Sequence, residues 1–121
     1  MTIRIATILL AVVCCAPLPL RAQHLLLPMD DEQKNHLKAY GVTFAALRDG
    51  SRAEWLLNYR GGSFLLLDSD AARRRAALAG VSTVSLDEGS LQAVRAEIAT
   101  SNMDAVVLEL APRIAIYTPP T

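Results

Sequence analysis

Residues 54–67 read EWLLNYRGGSFLLL, two apolar runs separated by a short polar and glycine-rich segment. The runs Glu54–Tyr59 and Ser63–Leu67 are both rich in the large apolar residues that form buried strands. The segment between them, residues 60–62, has two compatible interpretations. It is a hairpin turn whose glycines adopt positive φ, or it is a loop that binds a ligand through its backbone amides.

Strand-like patterns recur on both sides of this segment. Apolar runs predict strands at 24–28, 81–86 and 113–117, and apolar residues alternate over 106–110. Helical patterns separate these runs, and such alternation is typical of an α/β sandwich with a mostly parallel sheet. We therefore predict a three-layer fold of flavodoxin or Rossmann type, in an incomplete unit, with its ligand-facing loops at the carboxyl ends of the strands.

Three helices are predicted from apolar spacing and from capping residues. The first follows Asp30 or Asp31 and ends at Gly50, the second follows a cap among residues 68–70 and ends at Gly80, and the third follows Asp87 or Ser90. Gly41 weakens the first helix by roughly 1 kcal/mol relative to Ala. Its lack of a side chain is expected to let the helix approach the sheet closely.

Composition excludes several classes of protein. The chain has 121 residues, and its 12 basic and 12 acidic residues give a net charge of zero. This balance argues against a protein that binds nucleic acid by neutralising phosphates. A hydrophobic fraction of 52% is too high for intrinsic disorder. The length predicts a single domain.

The first 22 residues have the pattern of a cleaved export signal. Arg4 supplies a positive start, residues 5–17 carry no charge, and the small residue Ala22 precedes the expected cleavage site. The uncharged stretch is too short to span a bilayer core of about 30 Å as a helix. We expect an α/β domain over residues 23–121, without stable membrane insertion, in the periplasm or outside the cell.

Loss of the signal changes the available chemistry. Cys14 and Cys15 both lie within it, so residues 23–121 contain no cysteine. Disulfides, cysteine-based zinc sites and thiol nucleophiles are therefore excluded from the exported form. Because Arg4 and Arg21 leave as well, 12 acidic residues then face 10 basic ones.

The run at 113–117 continues directly into the proline-containing residues 118–121. One interpretation is an edge strand with a Pro-rich tail. The other, which we favour, is that residues 23–121 are the N-terminal part of a longer protein. The missing C-terminal part would then be the main partner of this region, since an α/β sheet needs both faces covered.

Residues 58–63 are the most site-like feature of the chain. They combine an amide, a phenol, a guanidinium, two glycines and a hydroxyl, and Arg60 could clamp a small polar or anionic ligand. The polar run after the first strand would join them if the two loops converge at one edge of the sheet. No pattern of metal ligands is present, and the sequence identifies no cofactor and no catalytic residue. The candidate ligand-binding residues are Asp30, Asn35, His36, Asn58, Tyr59, Arg60, Gly61, Gly62 and Ser63.

Three blocks of sequence resemble the opening of a group of exported bacterial proteins commonly labelled asparagine synthetase B. They are LLPMD at 26–30, QKNHLKAYG at 33–41 and WLLNYRGGSF at 55–64, and the resemblance extends through 102–105 and 111–117. It covers nearly all of the expected exported region. The resemblance implies a longer chain, an envelope location and, through the label, glutamine-dependent asparagine synthesis.

The resemblance transfers no catalytic residue. The cysteine that such synthetases expose after the initiator Met corresponds to Thr2, and Ser63 has no recognisable His and acid partners. We therefore expect an exported binding or scaffolding domain of a larger envelope protein, without a self-sufficient catalytic apparatus. The alternative is part of an amidotransferase, an asparagine synthetase-like enzyme or a hydrolase whose nucleophile lies beyond Thr121.

Overall fold

A computed structural model describes residues 23–119, which form five strands and three helices. The predicted signal peptide, residues 1–22, lies outside the described residues. The strands are β1 His24–Leu27, β2 Ala53–Leu57, β3 Ser63–Leu67, β4 Val84–Leu86 and β5 Asp104–Leu108. The helices are α1 His36–Arg48, α2 Asp70–Ala79 and α3 Glu88–Thr100.

All neighbouring strands of the sheet are antiparallel, so the predicted mostly parallel, flavodoxin- or Rossmann-like sandwich is wrong. The strand order is β4-β1-β3-β2-β5, and each of the four strand pairs is antiparallel. The first four strands and two helices follow the βαββαβ order of the ferredoxin-like arrangement. The units α3 and β5 extend it, with β5 at the edge beside β2.

The hairpin between β2 and β3 explains why the parallel prediction failed. β1, α1 and β2 do form a strand–helix–strand unit whose two strands point the same way, but β3 turns back and inserts between them. Four residues of the turn adopt positive φ, namely Asn58 at 63°, Arg60 at 44°, Gly61 at 79° and Gly62 at 93°. The turn interpretation of residues 60–62 is thus confirmed.

The sheet is buried on both faces by helices. α1 and α2 cover one face, where Leu25, Leu27 and Phe64 lie in a cluster with helical residues such as Val42 and Ala76. α3 covers the other face. Its buried residues Leu91, Val94 and Ile98, which the sequence placed on one helix face, pack there against Leu26, Leu56 and Leu65.

The helix caps confirm two of the three predicted starts. Ser69 caps α2 and Asp87 caps α3 through their side-chain oxygens. The first helix begins later than predicted, because Asn35, not Asp30 or Asp31, accepts the hydrogen bond from the amide of Lys38. No atom lies within 4 Å of a Cβ placed on Gly41, so the predicted close approach to the sheet at this residue is wrong.

The segment after β5 differs most from the sequence prediction. Residues 109–119 belong to no helix or strand, so the strand predicted at 113–117 is wrong. Its apolar side chains extend into solvent, with Ile114 80% and Ile116 88% exposed. β5 pairs only with β2 among the described residues, and its outer edge is free.

Candidate functional site

The loop after β1 and the turn after β2 meet at one end of the sheet. β1 and β2 run in the same direction because each pairs antiparallel with β3, which lies between them. Their carboxyl ends therefore lie side by side, although the sheet is not the parallel one predicted. The loop of residues 28–35 and the turn of residues 58–62 are connected there by hydrogen bonds and an ion pair.

Arg60 is the centre of this junction. Its Nε donates to Asp30 Oδ2 at 2.6 Å, and its Nη2 donates to Asp30 Oδ1 at 3.3 Å and to Glu32 Oε2 at 2.6 Å. The side chains of Arg60 and Asp30 are half-buried, whereas that of Glu32 is exposed. The Nε and Nη2 groups of Arg60 thus donate to two carboxylates of the same chain.

This ion pair shifts the pKa of both partners in the direction that favours their charged forms. The hydrogen bond from Arg60 lowers the pKa of Asp30 below its ordinary value, against a smaller opposing effect of burial. The hydrogen bond from Asp30, with that from Glu32, raises the pKa of Arg60. Both groups are charged at neutral pH, and the pair holds the two loops together.

The backbones of the two loops also touch directly. The amide of Met29 donates to the carbonyl oxygen of Arg60 at 3.0 Å. A Cβ placed on Gly61 would lie 2.7 Å from the carbonyl carbon of Met29 and closer still to its oxygen. The φ of Gly61 is 79°, a value that residues with a side chain avoid. The clash with Met29 and this φ together mean that only glycine fits at position 61.

The polar residues of the first loop mainly stabilise that loop. The Nε2–H of His36 faces two carbonyl oxygens, those of Met29 at 3.2 Å and Asp30 at 2.9 Å, so it is the donor. Gln33 is buried and donates through Nε2 to the carbonyl of Pro28, while its Oε1 accepts from the amide of Ser82. The loop is thereby fixed to the segment before β4.

The remaining candidate residues of the turn make internal contacts too. Ser63 is fully buried, and its hydroxyl faces the carbonyl oxygens of Tyr59 at 3.0 Å and Arg60 at 3.2 Å. Asn58 donates to the carbonyl of Asn102, which precedes β5, and Tyr59 packs at the edge of the core beneath α3. Burial raises the pKa of Tyr59, so its phenol stays protonated at neutral pH.

The structure therefore brings the candidate residues of the two loops into one hydrogen-bonded junction. His36 contacts the backbone carbonyl of Asp30 and Arg60 contacts its carboxylate. Asn35 lies beside them as the cap of α1. Asn58 faces away toward the segment before β5. Nε and Nη2 of Arg60 are engaged within the junction by the carboxylates of Asp30 and Glu32, so these two groups are not available to clamp an anion.

Two kinds of grouping can be checked at the junction, a metal-binding cluster and an activated hydroxyl. The described residues contain no group of three His, Cys, Asp or Glu side chains placed to hold a metal ion. Within residues 23–119, the hydroxyl of Ser63 faces two backbone carbonyls and no basic side chain that would accept its proton in nucleophilic catalysis. The arrangement can position two loops and their neighbours.

Four residues in or beside the two loops were not anticipated from the sequence. They are Glu32, Gln33, Ser82 and Asn102, none of which the sequence patterns predict as a site residue. Glu32 lies two positions from Asp30, and the proximity of two acidic residues could have indicated a shared basic partner such as Arg60. A buried glutamine in a polar run carries no such signal, since its burial depends on the approach of residues 49 positions away.

Comparison with known proteins gave no match among protein-family models, curated proteins or solved structures. Within residues 23–119, no helix combines the length and the apolar character needed to cross a membrane.

Proposed function

We propose that residues 23–121 form an exported scaffolding domain that packs, through the β5 edge and the segment after it, against the remainder of a larger envelope protein. The sequence supports export through the pattern of residues 1–22 and supports a longer chain through the resemblance to proteins labelled asparagine synthetase B. The domain itself positions a partner and contributes no nucleophile.

The single observation that carries this proposal is the apolar surface around β5. No described strand pairs with the outer edge of β5, and Val106 and Val107 are exposed on opposite faces of the sheet. Leu110, Ile114, Ile116 and Tyr117 follow, each at least 80% exposed. An unprotected edge strand followed by exposed large apolar side chains is a surface that soluble proteins normally cover.

An aromatic cluster continues this surface onto the two-helix face. The ring of Phe64 packs edge-on against Tyr40 at 5.3 Å between centroids and stacks with Trp55 at 6.0 Å. Tyr40 and Trp55 are themselves 51% and 37% exposed. Beside them lies a shallow cavity of about 210 Å³ that Leu108 and Pro112 help to line. These rings are suited to the centre of an interface, where aromatic residues are enriched.

The test compares one substitution in two lengths of protein. The coding sequence beyond Thr121 gives the longer product, and Val107→Lys is introduced there and in the 121-residue chain. In the short chain the substitution is expected to change the free energy of unfolding by less than about 0.5 kcal/mol, because the site is at the surface. In the longer product it is expected to cost more than about 2 kcal/mol, because a charge is then buried.

Leu78→Lys provides the matched control. Leu78 is 84% exposed and lies on α2, outside β5 and the segment after it, so the control is expected to be neutral in both lengths. A coding sequence that ends at Thr121, or a Val107→Lys effect as small in the longer product as in the short chain, would overturn the proposal.

A further inference from the structure

The two helices on one face of the sheet are strongly basic. α1 and α2 together contain a single acidic residue, Asp70, and five basic residues, namely Lys38, Arg48, Arg73, Arg74 and Arg75. α3, on the opposite face, contains two acidic residues and one basic residue. The charged residues of the three helices are thus distributed unequally between the two faces of the sheet.

Two of the five cations have no acidic partner among the described residues. The other three lie within ion-pair distance of Asp49 or Asp68. Lys38 and Arg74 form no ion pair within residues 23–119. Both are exposed, and both line the shallow groove of about 510 Å³ between α1 and α2. Their charge is available to a partner outside the domain.

Two large aliphatic side chains stand beside these cations. Leu37 is 82% exposed in the first turn of α1, and Leu78 is 84% exposed in the last turn of α2. α1 and α2 run in opposite directions, because α1 follows β1 and α2 follows the antiparallel β3, so these two turns lie at the same end of the helix layer. Leu78 lines the groove together with Lys38 and Arg74.

We propose that the outer face of the α1–α2 layer, centred on Leu37, Lys38, Arg74 and Leu78, docks on the surface of an anionic lipid bilayer without spanning it. Exposed leucines flanked by uncompensated cations are the combination that lies in a membrane interface, with the aliphatic groups at the acyl boundary and the cations at lipid phosphates. A nucleic acid would attract the cations but would gain nothing from the leucines. The inference does not depend on the function proposed above.

The experiment measures binding of the 121-residue chain to vesicles by sedimentation. One vesicle is pure phosphatidylcholine, and the other contains one part phosphatidylglycerol to two parts phosphatidylcholine. We expect stronger binding to the anionic vesicle and weakening by added salt. Lys38→Gln and Arg74→Gln are each expected to reduce binding about fivefold, and Leu37→Ala and Leu78→Ala about tenfold each.

Matched controls distinguish binding by this face from the effects of net charge and of other exposed apolar segments. Arg113→Gln removes the same charge and Leu110→Ala the same aliphatic group, both from the exposed segment after β5. Every variant of the 121-residue chain carries the same residues 1–22, so the quantity read is the ratio of each site variant to its control. The measurement is repeated on a chain beginning at Gln23, where we expect the same ratios.

Three results would overturn the proposal. The first is equal binding to the two vesicles. The second is a loss in the control variants as large as that in their matched site variants. The third is binding to heparin without binding to vesicles, where substitution of Lys38 or Arg74 weakens heparin binding and substitution of Leu37 or Leu78 does not. This result would assign the face to an acidic polymer.

Discussion

Arg60 and Asp30 are joined by two hydrogen bonds, from Nε at 2.6 Å and from Nη2 at 3.3 Å, and they connect the turn after β2 to the loop after β1. This contact is made although φ of Arg60 is 44°, a value that side-chain-bearing residues rarely adopt. The ion pair and the strained backbone are thus located at the same residue. Variants at position 60 can separate their effects.

Arg60→Ala removes the ion pair and keeps the strained backbone, so we expect it to lower the free energy of unfolding by about 1–2 kcal/mol, allowing for partial solvent screening. Arg60→Gly removes the pair but relieves the backbone, and we expect its loss to be smaller by about 1 kcal/mol. Urea unfolding measures both. An Arg60→Gly variant less stable than Arg60→Ala would contradict this assignment of strain.

The Asp30–Arg60 pair predicts that the stability of the fold depends on pH in the acid range. Because the pKa of Asp30 is lower in the folded state than in the unfolded state, its contribution is complete above the unfolded value of about 3.9. The contribution is lost as the pH falls through the lower folded pKa. We expect Asp30→Asn to flatten the fall in melting temperature between neutral pH and pH about 3 relative to the wild type. Curves that stay parallel over this range would contradict the assignment.

Two glycines provide opposite predictions. Gly61→Ala places a Cβ against the backbone of Met29 at a positive φ, so we expect a loss of at least about 2 kcal/mol. Gly41→Ala lies in α1 with no atom within 4 Å of its new Cβ, and we expect a gain of about 1 kcal/mol. Thermal unfolding of both variants checks the pair. A neutral Gly61→Ala variant would show that the two loops do not lie in contact.

Because Nε and Nη2 of Arg60 already donate to two carboxylates, we expect that the junction does not bind simple anions. We expect inorganic phosphate at millimolar concentration to leave the melting temperature of the wild type unchanged beyond its effect as a salt, because a ligand that binds the native state would raise it. Sodium chloride at matched ionic strength is the control. A specific rise that Arg60→Ala abolishes would restore the ligand-loop interpretation of residues 58–63.

The sequence was sufficient for local structure and insufficient for strand direction. Ser69 and Asp87 as caps, Gly80 as a C-terminal glycine and the span of β3 could all be predicted, because each depends on residues close in sequence. The direction of neighbouring strands depends on which strand inserts beside β1. Alternation of strands and helices does not decide this, because it is common to parallel sheets and to βαββαβ arrangements. The prediction chose the parallel sheet.

The sequence predicted which residues lie at the candidate site better than it predicted what those residues do. Asp30 and Arg60 could be placed in neighbouring loops, since β1 and β2 point the same way in either topology. That they would neutralise each other depends on a contact between residues 30 positions apart, which no local pattern encodes. Residues 113–117 form no strand although the outer edge of β5 is free among the described residues, because the apolar pattern of a run does not determine whether it pairs with an edge.

The central claim is that the β5 edge and the segment after it are covered by the remainder of a longer protein. Amide hydrogen exchange over residues 104–117 tests it most directly, in the 121-residue chain and in the product of the full coding sequence. We predict fast exchange beyond Leu108 in the short chain and at least about a hundredfold slower exchange there in the longer product, as for amides that become hydrogen-bonded and buried. Equal, fast exchange of these amides in both proteins would contradict the claim.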